Sequence, residues 1–240
     1  MGDQMTKDAA PGALLPLVVT SLLAAAEPAD AQMLRFRGIC EASAAVRLDD
    51  NTIAVASDDL PYVVLYAIDG ADPGKTPEAM PKAKVPLGDI TDLEGATRFG
   101  QVVLWLTSHS LNKKGNEKAE RKKLIATEMR DGTLAMVGTP YVGLRALIAP
   151  ALLTAGYAFD VDTDPRGQRV LNIEGMTATL DGDTLIGLRE PLIGGQAVII
   201  RVRGLREIAT GKGGTPEVKA VSLLNLGGNG IREMETLQDG

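Results

Sequence analysis

Apolar residues fall in short runs separated by acidic, glycine or proline turns, and the runs come in pairs. Residues 52–57 and 62–68 are rich in Ile, Val and Tyr, and are bounded by Asp49-Asp50-Asn51 and Asp58-Asp59-Leu60-Pro61. Runs of this kind between turn residues predict antiparallel strands. The pairing repeats at residues 102–107 and 123–129, and again at 184–188 and 196–202, where the Asp181-Gly182-Asp183 turn and a 191–195 loop mark the ends. One stretch departs from the pattern. Within 141–156, Val142, Leu144, Leu147, Ile148, Leu152 and Leu153 recur at helical spacing, which predicts a single amphipathic helical insertion with Pro150 as a break. Segments 69–86 and 209–216, rich in Gly, Pro and Lys, read as surface loops.

Each pair of runs follows a glutamate that precedes small residues. The copies are Glu41-Ala42-Ser43, Glu94-Gly95-Ala96-Thr97, Glu174-Gly175-Met176-Thr177 and Glu233-Met234-Glu235-Thr236. At positions 41, 94, 174 and 233 they stand 53, 80 and 59 residues apart, near or above the size of a propeller blade. A short strand carrying the glutamate, two further strands and room for a fourth make up one such blade. The expected fold is therefore mainly β, a partial β-propeller of roughly three blades of antiparallel sheet. The fourth copy reaches its turn at Gln238-Asp239-Gly240 with no strand after it, so the expected domain, residues 32–240, is truncated in its last blade.

Composition narrows the function classes. With 240 residues, 45% of them hydrophobic, the chain can bury a sizeable core. A formal charge of -6 argues against a nucleic-acid partner, and three Phe, four Tyr and one Trp leave few platforms for base stacking. One cysteine, Cys40, excludes an internal disulfide, and one histidine, His109, excludes the usual structural zinc sites, so any metal would be oxygen-bound. The apolar stretch 12–26 is too short for a membrane span and leads to Ala29-Asp30-Ala31. That pattern predicts an export signal over residues 1–31, and a mature protein that is periplasmic or extracellular with no stable membrane insertion.

Four equivalent glutamates suggest a shared site. If the first strand of each blade lines a central channel, Glu41, Glu94, Glu174 and Glu233 form a carboxylate ring suited to Ca2+, a hard ion with six to eight oxygen ligands. The alternative is that each serves its own blade, accepting backbone N–H bonds or pairing with an arginine. A basic segment follows the second apolar strand. Lys113, Lys114, Lys118, Arg121, Lys122 and Lys123 stand against Glu117 and Glu120, a local charge of +4. His109 is the candidate general acid or base there, and Lys113, Lys114 and Arg121 are candidates for holding a phosphate or carboxylate; a solvated loop is the alternative.

Three motifs fail on their own terms. Segment 70–76 imitates a P-loop, but its leading glycine is one residue too close, and Pro77 and Pro81 oppose the helix that must follow. Asp160, Asp162 and Asp164 open like an EF-hand loop, yet Pro165 replaces the glycine and Leu171 the bidentate glutamate, leaving at most a weak cation turn. No Gly-x-Ser-x-Gly elbow exists.

The phrases Gly38-Ile39-Cys40-Glu41-Ala42-Ser43, Asp92-Leu93-Glu94-Gly95-Ala96, Ser108-His109-Ser110-Leu111-Asn112-Lys113-Lys114-Gly115 and Asn172-Ile173-Glu174-Gly175-Met176 resemble an uncharacterised bacterial family known as domain of unknown function 3616. The resemblance covers most of residues 36–240. It implies a β-propeller distantly similar to phytase-like esterase propellers, which share an Asp-x-Glu-Gly phrase, and it supplies no catalytic residues. Members are as a class longer than this chain, in keeping with an interrupted fourth copy.

These readings converge on an exported binding module that holds a cation or small ligand at a channel mouth. The alternative is a phytase-like, calcium-dependent phosphoester hydrolase, with phosphate held by Lys113, Lys114 and Arg121. A truncated, non-functional product is the third expectation. The first two differ in whether the glutamates converge with the His109 loop facing the same mouth.

Overall fold

The paired apolar runs become strands in a computed structural model of the chain, which describes residues 35–68, 78–157 and 171–236, all within one compact unit, Met33–Gly240. The expected export signal, the P-loop-like segment 70–76, the acidic turn at 160–164 and the turn at 238–240 lie outside the described residues. The described chain is mainly β. Strands β2 (Ala42–Arg47), β3 (Thr52–Ser57), β4 (Tyr62–Ala67) and β6 (Pro81–Pro86) form a first antiparallel sheet in chain order. A second consists of β7 (Leu93–Phe99), β8 (Val102–Thr107), β9 (Leu124–Arg130) and β10 (Thr133–Tyr141). The third is β11 (Asn172–Ala178), β12 (Thr184–Ile193), β13 (Gln196–Arg203) and β14 (Glu217–Leu224). A short β1 (Arg35–Phe36) pairs in parallel with β5 (Glu78–Ala79).

Two expectations are corrected. The segment read as a loop over 69–86 ends in β5 and β6. Its prolines and lysines are compatible with a strand because β6 is an edge, where Pro81 and Pro86 owe no donor to an outer neighbour and Lys82 and Lys84 reach water. Helix α1 (Leu144–Thr154) forms where the insertion was expected, but Pro150 lies inside it and does not break it. Leu144, Ile148 and Leu152 form one fully buried stripe on both sides of the proline, so packing offsets the lost backbone bond. A second helix, α2 (Leu205–Ala209), was not foreseen.

The sheets share cores through their faces. Val103, Trp105 and Ile125 join Ala54, Ala56 and Leu65 of the first sheet, whereas Leu104, Leu106 and Leu124 join Ile173, Met176 and Ile186 of the third. The second sheet is thus covered on both sides. That explains why β8 reads as an unbroken apolar run instead of an alternating one. The buried Trp105 indole donates to Thr127 Oγ1 at 2.9 Å, which satisfies both groups inside the core.

The first strands of the three sheets lie side by side, β7 between β2 and β11. Ser43 Oγ donates to the Leu93 carbonyl, and the Ala178 amide donates to Thr97 Oγ1 at 2.7 Å. The glycine after the glutamate is what lets the neighbours close: a Cβ on Gly95 would stand 3.2 Å from the Met176 Cβ. The fourth copy, residues 231–236, forms no strand, yet Ile231 and Met234 fill the space over Gly175 and Gly187, and Thr236 Oγ1 donates to the Ala178 carbonyl at 2.6 Å.

Candidate functional site: a carboxylate cluster at the starts of the first strands

Backbone hydrogen bonds hold the ends of second strands to the starts of first strands, both in their own sheet and in the next. Asp92 N donates to Asp58 O at 2.6 Å, Ser108 N to Asp92 O at 2.9 Å and Ile173 N to Ser108 O at 2.9 Å. Residues just beyond β3 and β8 are therefore held against residues entering β7 and β11. The pairing register slips between Leu93 and Gly95 and between Ile173 and Gly175, which makes Glu94 and Glu174 the extra residues of two β-bulges. A bulge re-aims the side chain it carries. Glu41 and Asp92 reach the same region from left-handed backbone, at φ of 50° and 63°.

Five carboxylates gather as a result. Glu41, Asp58 and Asp59 each offer an oxygen within 4.8 Å of the others, and so do Asp58, Asp92 and Glu94. Asp58 belongs to both groups, and its Oδ1 is buried with no hydrogen-bond partner among the described residues. One guanidinium enters the cluster. Arg121 pairs with Asp92, while its Nε donates to Ser110 O at 3.1 Å and its Nη2 to Ser110 Oγ at 2.8 Å.

Crowding of like charge shows in the acidities. Burial pushes the Glu94 carboxyl up to about 8, and the charges of Asp92, Glu174 and Asp58 push the same way against Arg121. Burial likewise raises Asp58, with Asp59 and Asp92 adding to it. Glu41 is raised by its hydrogen bond with the Asp59 carboxyl, then by the charges of Asp58 and Asp59, with Lys113 opposing.

The four repeated glutamates do not form one ring. Glu41 and Glu94 fall in the two carboxylate groups joined by Asp58. Glu174 is buried and lies close enough to raise Glu94, but it has local partners. Arg189 donates to its Oε1 at 2.6 Å, Asn172 Nδ2 donates to the same atom at 3.1 Å, and Arg232 lies 3.5 Å from Oε2. Glu233 is exposed and enters neither group. The contrast is local: Glu174 has Arg189 from the adjacent strand of its own sheet, whereas Glu41 has Asp59.

Among the residues of the basic segment, Arg121 reaches the cluster by its side chain, and Lys113 and Lys114 are exposed. Lys118, Lys122 and Lys123 pair with Glu120, Glu117 and Asp89. His109 is fully buried, its Nδ1 lies 2.8 Å from Thr107 O, and burial lowers it to about 4. A neutral imidazole closed off from solvent holds the loop in shape and has no surface from which to exchange a proton with a ligand. Sequence reasoning took Asp58 and Asp59 as turn residues and gave Asp92 no role of its own. The available signal was position: Asp58 and Asp59 directly follow an apolar strand, and Asp92 stands two residues before Glu94.

No family model matches the chain, and no curated protein matches it significantly. The cluster's chemistry therefore rests on its own geometry. Several carboxylate oxygens within one ion's reach, with a single guanidinium, suit a hard divalent cation. A cation there could bind ligand oxygens or polarise them.

Proposed function

We propose that the three sheets are blades of a β-propeller and that the protein is an exported binding module whose channel mouth holds a divalent cation, Ca2+ before Mg2+. The observation that carries this reading is Asp58, shared by two carboxylate groups and left with a buried, unpartnered oxygen. Glu41, Asp59, Asp92 and Glu94 complete the donor set. A donor set made of two overlapping groups of three carboxylates favours the larger, more adaptable ion, because Mg2+ demands near-ideal octahedral geometry. The resemblance to domain of unknown function 3616 supports the propeller reading. The test is calorimetric titration of the full chain with CaCl2 and MgCl2 at pH 8, with a dissociation constant for Ca2+ of about 10⁻⁴–10⁻³ M expected of an extracellular module. No heat and no thermal shift at 10-fold higher Ca2+ would sink the reading.

A second reading is a phytase-like, calcium-dependent phosphoester hydrolase. Arg121 favours it, since a guanidinium beside a bound cation is suited to hold a phosphate. It requires Arg121 to leave Asp92 when the cation arrives. A phosphoester screen with and without Ca2+ separates the readings: turnover lost in Arg121→Ala supports hydrolysis, and cation binding without turnover supports the binding module.

A further inference from the structure

A groove of about 940 Å³ lies at the far ends of β2, β7 and β11, remote from the carboxylate cluster at their starts. Its unmet demand is opposite in kind. At the cluster the unpartnered Asp58 atom is an acceptor; here donors are left over. Arg98 has no carboxylate partner among the described residues. Its Nε donates to Gly100 O and its Nη1 to Arg47 O at 3.1 Å, so two backbone carbonyls fix the guanidinium and leave its charge uncompensated and Nη2 unused. Arg206 spends Nε and Nη2 on Glu207 and lies 5.4 Å from the Phe99 ring centroid, which fixes its plane and leaves Nη1 unused. Arg47 spends Nε and Nη2 on the carbonyls of Asp49 and Asp50.

Thr97, only 6% exposed, lines the same groove. Its Oγ1 accepts from Ala178 N, and its own proton has no acceptor among the described residues. The neighbouring hydroxyls differ. Thr236 donates to Ala178 O, so Thr177 must give its proton to Thr236 at 2.9 Å, and both are spent. Three acids line the groove as well. Asp49 accepts from the Asn51 amide through Oδ1 at 2.8 Å, Asp50 lies 3.7 Å from Arg47 Nη2, and Glu235 is exposed.

We propose that this groove is a second binding site, for a small ligand bearing an oxyanion, carboxylate or phosphate, held by Arg98 and Arg206 with Thr97 donating from the floor. A guanidinium already immobilised by carbonyls loses little freedom on binding, and its planar N–H edge matches either oxyanion. The volume falls in the range of small-molecule sites. This site is independent of the cation reading.

Heteronuclear NMR titration of the full chain with inorganic phosphate, with citrate and with neutral glucose tests it. Saturable shifts at Thr97, Arg98 and Thr177 are expected with phosphate or citrate at millimolar concentration and none with glucose; the tighter anion names the source. Arg98→Ala should weaken binding at least 10-fold, Arg98→Lys should recover part of the loss, and Arg206→Ala and Thr97→Val should each weaken it several-fold. The last two carry the test if Arg98→Ala does not fold. Asp58→Asn should leave anion binding unchanged. The proposal is overturned if neither anion binds, if binding survives Arg98→Ala or Arg206→Ala intact, or if Asp58→Asn abolishes it, which would place the anion at the cation cluster.

Discussion

Replacing Glu94 by glutamine should stabilise the protein without cation and remove most of its response to Ca2+. The sign follows from acidity. Glu94 titrates near 8 when folded, against 4.5 as the ordinary value, so the folded chain keeps a proton that the unfolded chain has lost. Stability is then greatest below pH 4.5, falls as pH rises towards about 8, and is flat beyond it. At about 1.4 kcal/mol per pH unit, that gap has a ceiling of about 5 kcal/mol. Glu94 is partly open to solvent, and screening reduces the effect to about 1–2 kcal/mol. Glutamine imitates the protonated form at every pH. In differential scanning fluorimetry at pH 8.5 without divalent cations, Glu94→Gln should melt about 2–6 °C above the parent, and its melting temperature should decline less between pH 5 and 8.5. Saturating Ca2+ at about 100 times its dissociation constant should stabilise the parent by about 2.7 kcal/mol, and the variant by much less. An unchanged pH slope together with a full Ca2+ response in Glu94→Gln would refute the crowding of charge around this carboxyl.

Asp58→Asn removes the carboxylate common to both groups, so Ca2+ affinity should fall at least about 10-fold by calorimetry, or about 1.4 kcal/mol; an unchanged affinity would place the ion elsewhere. Gly138→Ala should lower stability in urea titration by roughly 2–3 kcal/mol, because its Cβ would stand 2.2 Å from Ala209 O and its φ of 68° disfavours side chains. Trp105→Phe should cost about 1–3 kcal/mol, since it empties core volume and strips Thr127 of its buried donor. In the parent, the fully buried Trp105 should emit at short wavelength and shift to the red on unfolding; a red-shifted native spectrum would contradict the shared core between the first two sheets.

Some of this molecule could be read along the chain. Thr52–Ser57 and Val102–Thr107 matched the expected strands at both ends, because β-branched runs between Asp, Gly and Pro turns leave little choice of conformation. The stripe Leu144, Ile148, Leu152 gave α1 for a similar reason. Less was legible in the edge strands. β6 carries two prolines and two lysines, residues that look like loop until the neighbour on one side only, β4, is known. Pro150 misled in the same way, since a break is decided by packing on both flanks and not by the proline alone.

The repeat of Glu with small residues pointed, by itself, to carboxylates at the starts of first strands: Glu94 and Glu174 lie in β7 and β11, Glu41 just before β2, and Glu233 in no strand. Local patterning also set the strand runs and the helical insertion. Tertiary structure decided which carboxylates meet. Glu174 went to Arg189 and Glu41 to a group with Asp58 and Asp59, although the motifs around them are alike. The physical reason is that the partner comes from the adjacent strand, through backbone bonds such as Asp92 N to Asp58 O, across intervals the chain's local pattern does not encode. Charge at a site is a sum over neighbours, and only the assembled sheets determine which neighbours enter that sum.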